Sequence, residues 1–161
     1  MERRTGIDTG WTRSGLTALL AMASISANAA ADGPEKQLAP FFFPGSAPEL
    51  AAVERYAARD LRRAKAAGRP IDVIVAIAGG STLIVLESVA ICERIHGCPM
   101  LVFRDIAKPP VLSTMAFENV TIDYRADKTF LILRDNSGTD RECLVSGPGK
   151  ARCRPMAKKN R

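Results

Sequence analysis

The chain has 161 residues, with 23 lysines and arginines, 17 aspartates and glutamates, one histidine, four cysteines and a formal net charge of +6. That length holds one ordinary domain, and a hydrophobic share of 47% excludes wholesale disorder. A lone histidine excludes catalytic designs that need two.

Met1 to Gly15 carries Arg3, Arg4 and Arg13 against Glu2 and Asp8. The mostly apolar run Leu16 to Ile25 follows, then the small residues Ala27-Asn28-Ala29-Ala30-Ala31. A basic start, a short apolar segment and an A-x-A site predict a secretory signal peptide over residues 1–31, cleaved near Ala29 or Ala31. The run is shorter than the roughly 20 residues a membrane span needs. No cysteine lies beside it, so no lipid anchor is expected. The mature protein is therefore expected in the periplasm or outside the cell. A second apolar stretch, residues 71–91, is broken by Gly79-Gly80-Ser81-Thr82 and predicts strand-sized pieces, not a transmembrane span.

Residues 32–45 form a lead segment with Gly33, Pro34, Pro40, Pro44 and Gly45, where regular structure is not expected. Within it, Phe41-Phe42-Phe43 is expected to pack on the domain's own core. Ser46 to Ala67 predicts a helix. Ser46 and Glu49 have capping-box spacing, and Pro48 sits in the first turn, where no donor is missed. Leu50, Val53, Ala57, Leu61 and Ala64 make one apolar stripe, with Arg55, Arg59, Arg62 and Arg63 opposite. Gly68 and Pro70 end the helix.

Beyond Pro70 the chain reads as strands. Ile71 to Ala78 is apolar on both faces apart from Asp72, as a covered central strand would be. Residues 82–97 are expected as strand; the alternative is a crossover helix in an α/β core. Met100 to Arg104 is short and apolar. Val120, Ile122 and Tyr124 alternate with Thr121, Asp123 and Arg125, which predicts a half-exposed strand. Thr129 to Arg134 and Arg141 to Ser146 follow, punctuated by Asp135-Asn136-Ser137-Gly138 and Gly147-Pro148-Gly149.

All four cysteines lie in the exported part, where disulfides persist. A hairpin turning about Ile95 would set Cys92 opposite Cys98, and one turning about Pro148 would set Cys143 opposite Cys153. Opposed residues in an antiparallel pair stand within disulfide reach. The predicted pairs are therefore Cys92–Cys98 and Cys143–Cys153. The rival, a metal site from Cys92, His96 and Cys98, has C-x3-H-x-C spacing that matches no strong zinc pattern.

No catalytic set, cofactor motif or metal site emerges. Gly79-Gly80 lacks the G-x-G-x-x-G context and reads as a hairpin tip. Ser81 lacks the G-x-S-x-G context. What stands out is cationic. Residues 32–149 hold fourteen basic against fifteen acidic side chains, while the last twelve residues hold Lys150, Arg152, Arg154, Lys158, Lys159 and Arg161 and no acid. Arg55, Arg59, Arg62 and Arg63 form a second candidate anion-binding patch. No aromatic interleaves the tail, so nucleic-acid binding is not expected.

Ala27-Asn28-Ala29, the run Cys92 to Phe103 with Cys98-Pro99-Met100, and Glu142-Cys143-Leu144-Val145 give the chain a style. It resembles small uncharacterised exported proteins of Gram-negative bacteria. The resemblance implies export and carries over no catalytic residue or substrate.

The expected fold is α+β: one N-terminal helix on a small antiparallel sheet with two disulfide-clipped hairpins, over residues 46–155, followed by a basic tail over 156–161. The expected function is a non-catalytic binding module of the bacterial envelope. Its basic surfaces would meet an envelope protein, an anionic polysaccharide or an anionic lipid surface. The alternatives are a secreted hydrolase built on Ser81 or an acid pair, and an inhibitor of a secreted enzyme that uses the Glu93–Gly97 loop as a wedge.

Overall fold

A computed structural model describes residues 35–41, 43–117, 119–134 and 136–156, all within the compact unit Asp32–Arg161. The predicted signal peptide and its predicted cleavage site, with Lys158, Lys159 and Arg161, lie outside the described residues. In chain order the elements are β1 (Glu35–Leu38), β2 (Phe43–Pro44), α1 (Ala47–Tyr56), α2 (Ala58–Ala66), β3 (Asp72–Ala78), β4 (Ser81–Glu87), β5 (Cys98–Phe103), β6 (Leu112–Ala116), β7 (Thr121–Arg125), β8 (Lys128–Leu133), β9 (Arg141–Leu144) and β10 (Arg152–Pro155).

The fold is α+β, dominated by strands in two antiparallel sheets. One sheet runs β2-β3-β4-β5-β6, so sequence neighbours are spatial neighbours throughout. The other runs β1-β7-β8-β9-β10, with β1 added to β7 across most of the chain. The apolar stretch over 71–91 makes the pivotal hairpin. β3 and β4 pair from Asp72 opposite Glu87 to Ala78 opposite Ser81. Gly79 and Gly80 at its tip have φ of +56° and +69°. Only a residue without a Cβ takes two successive left-handed positions at little cost, and that turn matches the strand twist.

Leu83, Ile84, Val85 and Leu86 are all fully buried because both faces of their sheet are covered. Leu83, Val85, Met100 and Val102 point into one core with Ile122, Leu131, Leu133 and Cys143 of the other sheet. Ile84, Leu86, Leu101 and Phe103 point the other way, onto Ala52, Val53, Ala57 and Ala64 of the helical segment. The order of layers is therefore helices, sheet, sheet. Of the aromatic clip, Phe41 packs on the inter-sheet core, while Phe42 lies outside the described residues.

Four expectations need correction. The single helix is two helices, because Ala57 leaves helical geometry at φ −120°, ψ 23°. Alanine is the best helix former, so nothing local marks that break. The strand expected over 82–97 stops at Glu87, and residues beyond it turn through a loop; no crossover helix forms. The lead segment contains β1 and β2, since both find ladders waiting, on β7 and on β3. The single small sheet expected is two five-stranded sheets, the first of them completed by β6, paired to β5 over Cys98–Val102.

Both predicted disulfides form, Cys92–Cys98 and Cys143–Cys153, leaving no free cysteine. Cys143 and Cys153 are opposed in the β9–β10 ladder. At the other pair, a bridge between Glu93 and Gly97 closes the loop just inside the disulfide.

Candidate functional site

α1 begins where the sequence places it. The backbone N–H of Ser46 donates to a Glu49 carboxylate oxygen at 3.0 Å, and the Ser46 hydroxyl donates to the same oxygen. The hydroxyl bond holds the Glu49 carboxyl below its usual range, which suits an acid at a helix N-terminus. The four arginines predicted to share one face are divided by the break at Ala57. Arg55, on α1, stands 5.2 Å from the ring centroid of its neighbour Tyr56. Arg59, Arg62 and Arg63 are exposed on α2, joined by exposed Lys65 in its last turn and by Arg69 just beyond. Arg59 lies 3.9 Å from Asp60, whereas Arg62 and Arg63 form no salt bridge among the described residues.

A cleft of about 420 Å³ opens between α2 and β6. Arg59, Asp60 and Arg63 form its helical wall, with Glu93 of the clamped loop and Ser113 and Thr114 of β6 across from them. Arg141 reaches this edge from the other sheet. Its guanidinium donates to the Thr114 hydroxyl at 3.2 Å and to the Met115 carbonyl at 2.9 Å.

The C-terminal cations go elsewhere. Arg154 lies on the outer face of the second sheet, where its guanidinium donates twice to Glu142, at 2.9 and 2.6 Å. Arg125 spans Glu142 and Asp123, at 2.5 Å to each, and Lys36 of β1 stands 3.6 Å from Asp123. The row Lys36, Asp123, Arg125, Glu142, Arg154 thus crosses the sheet from β1 to β10. Hydrogen bonds from Arg125 hold the Asp123 carboxyl below its usual range, against burial. For Glu142, burial pulls upward most strongly, but Arg154 and Arg125 together win and the carboxyl ends lowered. Arg125 also lies 4.6 Å from the Phe130 ring centroid. Arg152, with Lys128 and Phe130, borders a smaller cavity of about 280 Å³ on this face. Lys150 is exposed in the preceding turn, which Arg104 ties down through the Gly149 carbonyl at 2.6 Å.

The two predicted cationic patches are therefore not one surface. α2 covers one side of the first sheet, and Arg152 and Arg154 lie on the far side of the second. Two stacked layers put them about 20 Å apart.

Ser81 and His96 do not meet either. Ser81 opens β4 and is 4% exposed, while His96 lies in the loop past that strand's other end. Seven strand residues span about 20 Å. No group of three metal-ligating side chains occurs among the described residues, and no described helix is long and apolar enough to cross a membrane.

Asp123 and Glu142 were scattered acids in the sequence. The alternation Thr121-Ile122-Asp123 marks Asp123 as outward-facing but not as covered; Arg125 follows two residues on along the same face, and cross-strand register adds Lys36. Comparison with family models, curated proteins and solved structures found no match.

Proposed function

We propose that the protein is an exported, non-catalytic binding module of the bacterial envelope that meets an anionic polysaccharide through the basic face of α2. The observation that carries this is local. Arg59, Arg62, Arg63, Lys65 and Arg69 are exposed within three turns, and Arg62 and Arg63 have no acidic partner among the described residues. Such a row raises the local concentration of polyanions. A polysaccharide is favoured over a lipid surface because α2 offers no large exposed apolar side chain to insert; Leu61 is half-buried against the core. Export rests on the basic-apolar-small pattern of residues 1–31, and two disulfides fit an oxidising compartment.

Co-sedimentation with an acidic cell-wall polysaccharide and with anionic vesicles, at low and high salt, tests the reading. Binding to the polysaccharide should fall steeply with salt, and Arg62→Ala with Lys65→Ala should weaken it. Absence of binding at low salt overturns it, and preference for vesicles transfers the role to lipid headgroups.

A second reading, an inhibitor of a secreted enzyme, draws on the Glu93–Gly97 loop. Arg94 and Ile95 are exposed there, yet the loop is closed by a disulfide and a ladder bridge. Asn136 supports it from outside, donating its amide N–H to the Ile95 carbonyl at 2.9 Å and its side chain to the Arg94 carbonyl at 2.8 Å. Preorganisation of this kind lowers the entropic cost of docking.

A further inference from the structure

We propose that the cleft between α2 and β6 is a binding site for a free α-amino acid with an apolar side chain. The cleft carries charges of both signs: Arg59 and Arg63 on one wall, Asp60 beside them, Glu93 across. Arg63 and Glu93 line the same cavity, yet neither forms a salt bridge with the other or with any described residue. Two opposite charges facing one space without pairing leave a gap for a ligand that pairs with each.

The lining limits that ligand's chemistry. A simple anion would be attracted by the guanidinium groups and repelled by Asp60 and Glu93. A simple cation would meet the reverse. A group that carries a carboxylate and an ammonium on one carbon meets charges of both signs. The Arg63 fork takes the carboxylate, a geometry guanidinium matches with two parallel hydrogen bonds. Glu93 accepts from the ammonium, and the Ser113 hydroxyl is at hand for the remaining carboxylate oxygen. Of the apolar lining residues, half-buried Met115 gives an apolar side chain a surface to cover, with the buried Ile91 and Pro99 beside it. The volume, about 420 Å³, falls within the usual size of small-molecule sites. Glu93 is well held for this task, since its backbone N–H and carbonyl are both bonded to Gly97, at 2.6 and 2.9 Å, one residue from the Cys92–Cys98 disulfide.

The site shares Arg63 with the basic face but does not depend on the polysaccharide reading. The two separate by salt: a ligand of zero net charge responds weakly to ionic strength, a polyanion strongly.

The test is a titration of the isotope-labelled mature protein with L-methionine, L-methionine amide and N-acetyl-L-methionine, followed by amide chemical shifts. L-methionine should give saturable shifts confined to α2, the 91–99 loop and β6. The amide lacks the carboxylate and the N-acetyl compound lacks the ammonium, so each should bind at least tenfold more weakly. Arg63→Ala and Glu93→Gln, both at exposed positions, should each weaken L-methionine about tenfold or more. Arg62→Ala with Lys65→Ala should leave it unchanged while weakening the polysaccharide. Absence of saturable shifts with L-methionine and with L-leucine overturns the proposal, as does equal binding of all three methionine compounds.

Discussion

Arg125 holds the most interactions of any side chain on the outer sheet face. It touches Asp123, which is 0% exposed, and Glu142, which is 4% exposed. Removing one partner of a covered ion pair leaves a desolvated charge, so Arg125→Ala should destabilise by about 3 kcal/mol in a urea titration. An unchanged midpoint would mean the network is solvated and weak. The same residues set an acid limit. Both carboxyls have folded pKa values below their unfolded ones. Their stabilisation is thus fully present above the unfolded carboxylate pKa, about 4, and is lost as pH falls through the lower folded values. Thermal melts should show stability declining below about pH 4, with a shallower decline in Asp123→Asn. Gly97 is a different kind of constraint. Its φ is +87°, and a Cβ there would stand 2.3 Å from the Ala116 backbone. Gly97→Ala should therefore shift the loop off β6 and cost at least about 2 kcal/mol.

Among the elements, β10 is an edge strand that depends on a few anchors. All four of its residues are exposed, and no strand lies beyond it among the described residues. Its anchors are the ladder to β9, the Arg154–Glu142 pair and the Cys143–Cys153 disulfide. Closing a loop of this length contributes on the order of 2–3 kcal/mol. The paired change Cys143→Ala, Cys153→Ala should release β10 first, raising hydrogen exchange over 152–155 well before the central strands. Uniform exchange across both sheets would refute that order. The helical segment shows what periodicity conveys. Val53, Ala57 and Ala64 of the predicted stripe are buried and Leu61 half-buried, but Leu50 is 45% exposed. The stripe assumes one straight axis, and the break at Ala57 divides it.

Across the whole molecule, the first sheet is the organising layer because it is apolar on both sides. Its continuous runs, Ile71 to Ala78 and Leu83 to Leu86, read as buried strands in the sequence; Leu83 to Leu86 is fully buried, but in the first run only Val75, Ala76 and Ala78 are, and Ile77 is 64% exposed near the hairpin tip. The sequence left open what covers each face. The described helices total nineteen residues, ten in α1 and nine in α2. Far-UV circular dichroism of the mature protein should therefore be dominated by strand, with helix content near that share. A spectrum with a third or more helix would contradict the layer order. The distribution of charge also belongs to this scale. The net +6 of the chain does not make a uniformly basic surface. Arg154 is spent on Glu142, and Arg104 and Arg141 on backbone carbonyls, whereas Arg62, Arg63 and Lys65 of α2 form no salt bridge among the described residues.

By itself the sequence determined what depends on near neighbours along the chain: the capped start at Ser46, the Gly79-Gly80 turn, the strand alternation and both cysteine pairs. Each follows from a local rule of turn chemistry, side-chain period or hairpin symmetry, and each acts within about twenty residues. The tertiary structure decided what depends on contacts between distant segments. It placed β1 beside β7, ended β4 at Glu87, broke the helix at Ala57 and set the two cationic patches on opposite sides. It also brought Arg63 and Glu93 to the lining of one cleft. Those outcomes come from which sheet face each segment covers, and no local pattern encodes a partner that lies tens of residues away.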